Sequence, residues 1–205
     1  MNGNVPDSSQ SSPDSPASRE RGRLLVISGP GGVGKSTIVA ELRRRIPVHF
    51  SVSATTRDPR PGEIEGFHYR FVTPEQFRQL IDRGDLLEWA VFNGNYYGTP
   101  RDAVEAAIAD GRDVLLEIEV QGARQIRQVI PDALMIFIAP PSMDDLRRRL
   151  EKRADTSPED IEAKLRIAEE ELAAAPELFD HIVVNDDMER AVGEILEILA
   201  EPAHR

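Results

Sequence analysis

The chain has 205 residues, enough for one compact domain with a sizeable core, and its zero cysteines exclude disulfides and thiolate metal sites. A formal net charge of −11 argues against a broadly basic face for nucleic acid or membrane, which leaves any phosphate recognition to local clusters. No apolar run reaches the roughly 18 residues of a membrane span and no basic-then-apolar secretory pattern opens the chain, so it reads as cytoplasmic, with no signal for oligomeric state.

Residues 1–20 are Ser, Pro, Asp, Asn and Gln with almost nothing apolar. Such a stretch cannot bury enough surface to offset the entropy of ordering, so a disordered tail is expected there and one α/β domain over 21–205. Residues 24–28 form an apolar run of strand length. The segment Gly29-Pro30-Gly31-Gly32-Val33-Gly34-Lys35-Ser36 follows at once, and from Thr37 to about Ile46 the pattern is helical. The loop matches G-x-x-x-x-G-K-[ST]. Between a strand and a helix, its backbone N–H groups turn inward at the positive end of the helix dipole, which makes it a polyphosphate cradle. Its glycines permit close approach, Lys35 can reach the β- and γ-phosphates, and the Ser36 hydroxyl can ligand Mg²⁺.

Further along, residues 48–53, 114–118, 134–139 and 182–184 join 24–28 as nearly continuous apolar runs, the pattern of a parallel sheet with helices on both faces. Helix starts are marked by Thr99 before Pro100, by Ser142 with Asp145 three residues on, and by Thr156 or Ser157 before Pro158. Two regions break the alternation. Residues 55–98 hold short strand-like pieces, a helix near 74–83, and an Asn93-Gly94 hairpin signal between 86–92 and 95–97, which together read as an inserted lobe. Residues 147–164 are dense in charge and read as a mobile lid.

Four constellations carry chemistry. Arg57 and Arg60, three apart on a Pro- and Gly-constrained segment, can present two guanidinium forks to one phosphate, with Tyr69, Tyr96 and Tyr97 adding hydroxyls; a solvated basic loop is the bland alternative. Glu88 lies in an apolar strand. Facing inward, its carboxylate would need paired donors such as the N1–H and N2–H₂ of guanine; facing water, it carries no such meaning. Glu117 and Glu119 close the 114–118 run two residues apart, on one face if the strand continues, where carboxylates can hold Mg²⁺ waters or a substrate; a surface acidic pair is the alternative. Arg149 and Arg153 are four apart on a helix, with Lys164 and Arg166 beyond, and can fold over a transferring phosphoryl group. Arg147, Arg148 and the run Arg43-Arg44-Arg45 read as complements to helix C-termini.

Taken together, G-P-G-G-V-G-K-S, S-A-T-T-R-D-P-R-P-G-E, E-G-F-H-Y, L-E-W-A-V-F-N-G-N-Y-Y-G-T, V-Q-G and I-F-I-A-P-P-S make the chain resemble the guanylate kinase family over about residues 23–200. That resemblance implies a P-loop NTPase core (21–53, 99–146 and 165–205), a mixed α+β GMP-binding lobe (54–98) and a helical lid (147–164). It implies transfer of the γ-phosphoryl of ATP to GMP, with dGMP as a further acceptor and Mg²⁺ as cofactor. ATP would meet Gly29, Pro30, Gly31, Gly32, Val33, Gly34, Lys35, Ser36, Thr37 and Asn185, with Ser36 on the metal. Arg57, Arg60, Tyr69 and Tyr97 would hold the GMP phosphate, and Ser53, Glu88, Thr99 and Glu119 would read the base. Lys35, Arg57, Arg149, Arg153 and Lys164 would be catalytic. The chain departs from the family pattern at Glu117 and Glu119, where many relatives carry aspartate, and at Lys164, where relatives often place arginine, so that Lys164 substitutes or Arg166 moves in. Three rivals stand beside this reading: a kinase for another nucleoside monophosphate, a non-catalytic module of the same fold that binds phosphorylated peptide, and a P-loop GTPase. The intact loop disfavours the second, and the lack of N-K-x-D disfavours the third.

Overall fold

The computed structural model describes residues 21–92, 94–152 and 157–201. Strand β1 (Leu24–Ser28) runs into the glycine-rich loop and helix α1 (Lys35–Arg45), after which come β2 (His49–Phe50), β3 (Ala54–Thr55) and β4 (Arg70–Phe71). Helix α2 (Pro74–Asp82) precedes the hairpin of β5 (Leu86–Phe92) and β6 (Asn95–Pro100), and then α3 (Arg101–Ala109), β7 (Val114–Glu117) and α4 (Val120–Val129) follow. The chain closes with β8 (Leu134–Ala139), α5 (Met143–Glu151), α6 (Pro158–Leu178), β9 (His181–Val184) and α7 (Met188–Ala200).

Five parallel strands in the order β2-β7-β1-β8-β9 make the main sheet. β1 lies at its centre and is buried along its whole length, and its side chains alternate between two cores. Leu24 and Val26 face a cluster built with Val104 and Ala107 of α3, Val120, Ala123 and Ile126 of α4, and Ala175 of α6. Leu25 and Ile27 face the other cluster, with Ile38, Val39 and Leu42 of α1 and Ala191, Val192 and Ile195 of α7. The continuous apolar run therefore has its physical cause: a strand covered on both faces has no polar side.

A second sheet, in the order β4-β3-β6-β5, forms the lobe, with β6 antiparallel to both β3 and β5. Its small core gathers Ala54, Phe77 and Leu86, with Phe77 stacked on Tyr96 at 5.2 Å between ring centroids. The predicted Tyr96 hydroxyl donor is thus a packing residue of the lobe core. Helix α2 is well started, because Thr73 and Gln76 complete a reciprocal capping box ahead of Pro74. So little else holds this lobe that Phe77→Ala should cost about 3–5 kcal/mol. Native-state hydrogen exchange is the measurement: amides of β3, β5 and β6 should lose protection while those of β1 and β8 keep theirs.

Several sequence boundaries shift. α1 begins at Lys35 rather than Thr37, so the lysine and serine of the loop belong to the first helical turn. Residues 48–53 pair only at His49–Phe50, and residues 114–118 end as a strand at Glu117. The helix expected from Thr99-Pro100 starts at Arg101, because Thr99 and Pro100 remain in β6, paired with Glu88 and Leu86. Ser142 and Ser157 cap α5 and α6 as anticipated, whereas Asn93 and Thr156 lie outside the described residues.

Candidate active site

The loop after β1 meets α1 with no side-chain cap and no acidic residue in the first turn, so the leading backbone N–H groups remain available for an anion. Gly34 takes the left-handed conformation (φ 103°), and a Cβ there would stand 2.7 Å from the Asn185 side-chain nitrogen. Val33 turns its side chain into the sheet–helix core and its carbonyl toward Asn185 and Arg149. That carbonyl accepts hydrogen bonds from Asn185 Nδ2 (2.7 Å) and Arg149 Nη1 (3.0 Å), and Arg149 Nη2 also donates to the Asn185 carbonyl (2.7 Å). Asn185 and Arg149 therefore brace the loop from behind, and Arg149, expected in a lid, is tied to the core. Pro30, Gly31, Gly32, Gly34, Lys35, Ser36 and Thr37 line the cleft, whereas Gly29, Val33 and Asn185 lie outside its lining.

Lys35 is folded back on its own loop. Its ammonium donates to the carbonyls of Gly29 and Pro30 and stands 3.8 Å from Glu119 Oε1, with its side chain only 9% exposed. Ser36 Oγ donates to Glu117 Oε1 at 2.6 Å, which orients the hydroxyl lone pairs away from that carboxylate. Burial pushes the Glu117 carboxyl above its usual range, opposed by the Ser36 hydrogen bond. Since the strand ends at Glu117, Glu119 is the residue ahead of α4, and the two carboxylates reach the cleft from a strand end and a helix start rather than from one strand face. A third acid, Glu171 of α6, is absent from the sequence-based candidates. One of its oxygens is buried with no hydrogen-bond partner among the described residues, and burial, then nearby Glu119, pushes its carboxyl up to about 7. Its signal was helical spacing from Asp160 and Lys164, both of which line the cleft.

The lobe supplies the opposite wall. Arg57 makes a bidentate pair with Glu63 (2.9 and 2.8 Å), and Glu63 also accepts the Arg60 backbone N–H at 2.7 Å. The Arg57 guanidinium hydrogen bonds hold the Glu63 carboxyl down at about 2, and Glu63 with Tyr97 raises Arg57 in turn. Arg57 lies over the Tyr69 ring at 5.3 Å, and Tyr69 meets Tyr97 edge-on at 6.0 Å. Glu63 thus fills the guanidinium fork as a carboxylate, with the planar pairing that a phosphate would make. Arg57, Arg60, Tyr69, Tyr97 and Ser53 all line the cleft.

Glu88 faces inward. It is 4% exposed and accepts a hydrogen bond from Thr99 Oγ1 at 2.6 Å; burial pushes its carboxyl up to about 7. A bulge between Leu86 and Glu88 re-aims the strand: Leu86 enters the lobe core while Glu88, Ala90 and Phe92 line the cleft. Thr99 itself does not line the cleft and acts on Glu88 from behind.

The remaining wall comes from α5 and α6, through Leu150, Asp160 and Lys164. Lys164 rather than Arg166 takes the cleft position, since Arg166 is exposed and outside the lining. Arg147 pairs with Glu162 of α6 on the surface and stands outside the last turn of α5, where Arg148 and Arg149 lie, so it does not complement that helix end; Arg153 lies outside the described residues. The result is one cleft of about 530 Å³ with a phosphate loop at one end, a basic and aromatic wall opposite, and a buried carboxylate at its side.

The family described as Guanylate kinase matches residues 21–202. A protein named guanylate kinase from Synechococcus sp. (strain JA-3-3Ab) is 51% identical over 195 residues, covering 95% of this chain and 88% of the relative. One of the same name from Streptomyces coelicolor is 55% identical over 177 residues, covering 86% and 89%. The crystal structure of guanylate kinase from Anaplasma phagocytophilum superposes with a TM-score of 0.75 at 35% identity, covering 91% of this chain and 88% of that one.

Proposed function

The chain belongs to the guanylate kinase family and phosphorylates GMP from ATP, and from that premise we propose how its own residues divide the work. The loop amides and Lys35 take the β- and γ-phosphates of ATP. Arg57, Arg60, Tyr69 and Tyr97 hold the GMP phosphate, and Glu88, supported by Thr99, Ser53 and Glu119, accepts the guanine N1–H and N2–H₂. Arg149 keeps the loop in shape through the Val33 carbonyl, while Lys164 and Arg153 bring positive charge to the transferring phosphoryl. With the acceptor oxygen aimed at the γ-phosphorus, positioning and electrostatics carry an in-line transfer with no covalent intermediate.

The donor chemistry fits Mg²⁺. Ser36 offers a hydroxyl oxygen oriented by Glu117, a hard oxygen pair of the kind that ion takes when phosphates and waters complete its shell. Bound there, it would supply charge neutralisation for the phosphates of ATP.

The residues assigned here to the acceptor are assigned to its base and its phosphate and none to the 2′-hydroxyl, which supports dGMP as a second acceptor. Residues 54–98 act as the GMP-binding lobe and 147–164 as the lid, closing on the core at 21–53, 99–146 and 165–205 to exclude water. No helix of the described residues is long and apolar enough to cross a membrane, and the absence of cysteine suits a reducing cytoplasm.

One arrangement carries the reading: a phosphate loop and a buried carboxylate open into the same cleft. Coupled measurement of ADP release with GMP, AMP, UMP and dTMP is the test. GMP alone should support rapid release; equal rates with AMP would remove Glu88 as the base reader.

A further inference from the structure

We infer that Gly122 and Gln125 of α4 set the position of the Glu88 carboxylate, and thereby the guanine selectivity of the reaction. The inference rests on the reading of Glu88 as base acceptor. A Cβ added at Gly122 would stand 2.1 Å from Glu88 Oε2, 2.9 Å from its Cδ and 3.4 Å from its Cγ. Gly122 lies inside a helix, with its backbone in no conformation that demands glycine, and alanine is the better helix former there. The three atoms nearest that position all belong to the Glu88 side chain.

Gln125, three residues on, occupies the same side of α4. Its amide pairs with the backbone of the residue after Glu88 in both directions: Trp89 N donates to Gln125 Oε1 (3.1 Å), and Gln125 Nε2 donates to the Trp89 carbonyl (2.6 Å). One side chain thus clamps β5 as a neighbouring strand would. Val120, Ala123 and Ile126 of the same helix are buried in the main core, so the clamp refers Glu88 to the core rather than to the outer lobe. The carboxylate is pinned between the Thr99 hydroxyl at 2.6 Å and the bare turn at Gly122. Gly122 and Gln125 are positioning residues, acting on the base only through Glu88.

The test is steady-state kinetics of Gly122→Ala and Gln125→Leu with GMP and with IMP, which lacks the 2-amino group. Both variants should raise the KM for GMP, Gly122→Ala by about tenfold or more because a carboxylate displaced by about 1 Å loses its aim, while kcat and the KM for ATP stay within about twofold. The preference for GMP over IMP should fall in parallel. A merely structural role predicts the opposite for Gly122→Ala, a better helix with unchanged nucleotide preference. Gln125→Leu places no new atom against the carboxylate and keeps the inference testable if Gly122→Ala fails to fold. A folded variant with the parent GMP-to-IMP preference and GMP KM overturns it. Glu88→Gln, run alongside, separates the two readings. If it leaves the preference intact, the base-acceptor role fails; if it lowers the preference while Gly122→Ala and Gln125→Leu do not, the present inference alone fails. In the double variant Gly122→Ala/Glu88→Gln, the alanine should add almost nothing, the non-additivity of two changes acting on one group.

Discussion

Lys35→Met should lower kcat by about 10²–10³-fold, the effect of removing one preorganised charge from a phosphoryl-transfer site, and leave GMP affinity within about twofold. The expectation follows from where the ammonium waits. Lys35 is held by the Gly29 and Pro30 carbonyls and lies near Glu119, so it is desolvated and aimed into the loop before any nucleotide arrives. An incoming triphosphate exchanges those neutral acceptors for phosphate oxygens, and the ammonium need not be taken out of bulk water at that moment. Methionine keeps most of the volume and removes the charge. Trp89, the chain's single tryptophan, follows Glu88 directly, so a fluorescence titration with GMP reports the acceptor site independently of turnover. A kcat within about threefold of the parent would remove Lys35 from transition-state stabilisation. Loss of the GMP titration would instead show that the substitution had disturbed the whole cleft.

How legible this site was in the sequence depends on the range of the interactions that make it. The phosphate loop is local: strand, glycines, lysine, serine and helix are contiguous, and the pattern that names it also folds it. The alternation of core strands was legible for the same reason, since Leu24 to Ser28 carry their own burial. Glu88 was different. Whether it faced guanine or water turned on a bulge at Leu86–Glu88, on a hydroxyl 11 residues away, and on a glycine in α4, none of which the strand itself displays. The same hydroxyl explains the misplaced helix start: Thr99 is paired with β5 and bonded to Glu88, leaving Arg101 to begin α3. Arg149 read as a lid cation because its neighbours are charged, yet its partners are two backbone carbonyls on distant loops. Glu171 sat in a run of three glutamates, where helical spacing from Asp160 and Lys164 is the one signal that separates it, and the tertiary packing of α6 is what buries one of its oxygens.

Glu88→Gln should lower kcat/KM for GMP by on the order of 10²-fold, because a site built to accept two donors then meets one of them with an N–H₂, while the KM for ATP stays near the parent value. The Thr99 hydroxyl bond survives in the variant, so the loss reports the base and not a collapsed strand. The parent should also show a pH dependence that the variant lacks. Burial lifts the Glu88 carboxyl from its ordinary 4.5 to about 7, so at pH 6 most of the free enzyme carries the acid form and GMP must bind at the expense of a proton. The KM for GMP should therefore fall as pH rises from 6 to 8 in the parent, and the part of that fall due to Glu88 should vanish in Glu88→Gln. Stability moves the other way. A carboxyl with its folded value above its unfolded one makes folding take up a proton between those values, so the free enzyme loses stability as pH climbs from 4.5 to about 7, by about 3 kcal/mol for this group. Glu171 and Glu117 are raised too and add to the slope of both proteins, which makes the difference between parent and variant the informative quantity. Above pH 7 the free variant should be the more stable of the two in urea titrations, and saturating GMP should reverse that order by giving the parent's carboxylate the donors it lacks. Parallel stability curves for the two proteins across this range, or a GMP KM equally pH-dependent in both, would mean that Glu88 is already ionised without its ligand; an unchanged kcat/KM for GMP in the variant would mean that the selectivity has another source.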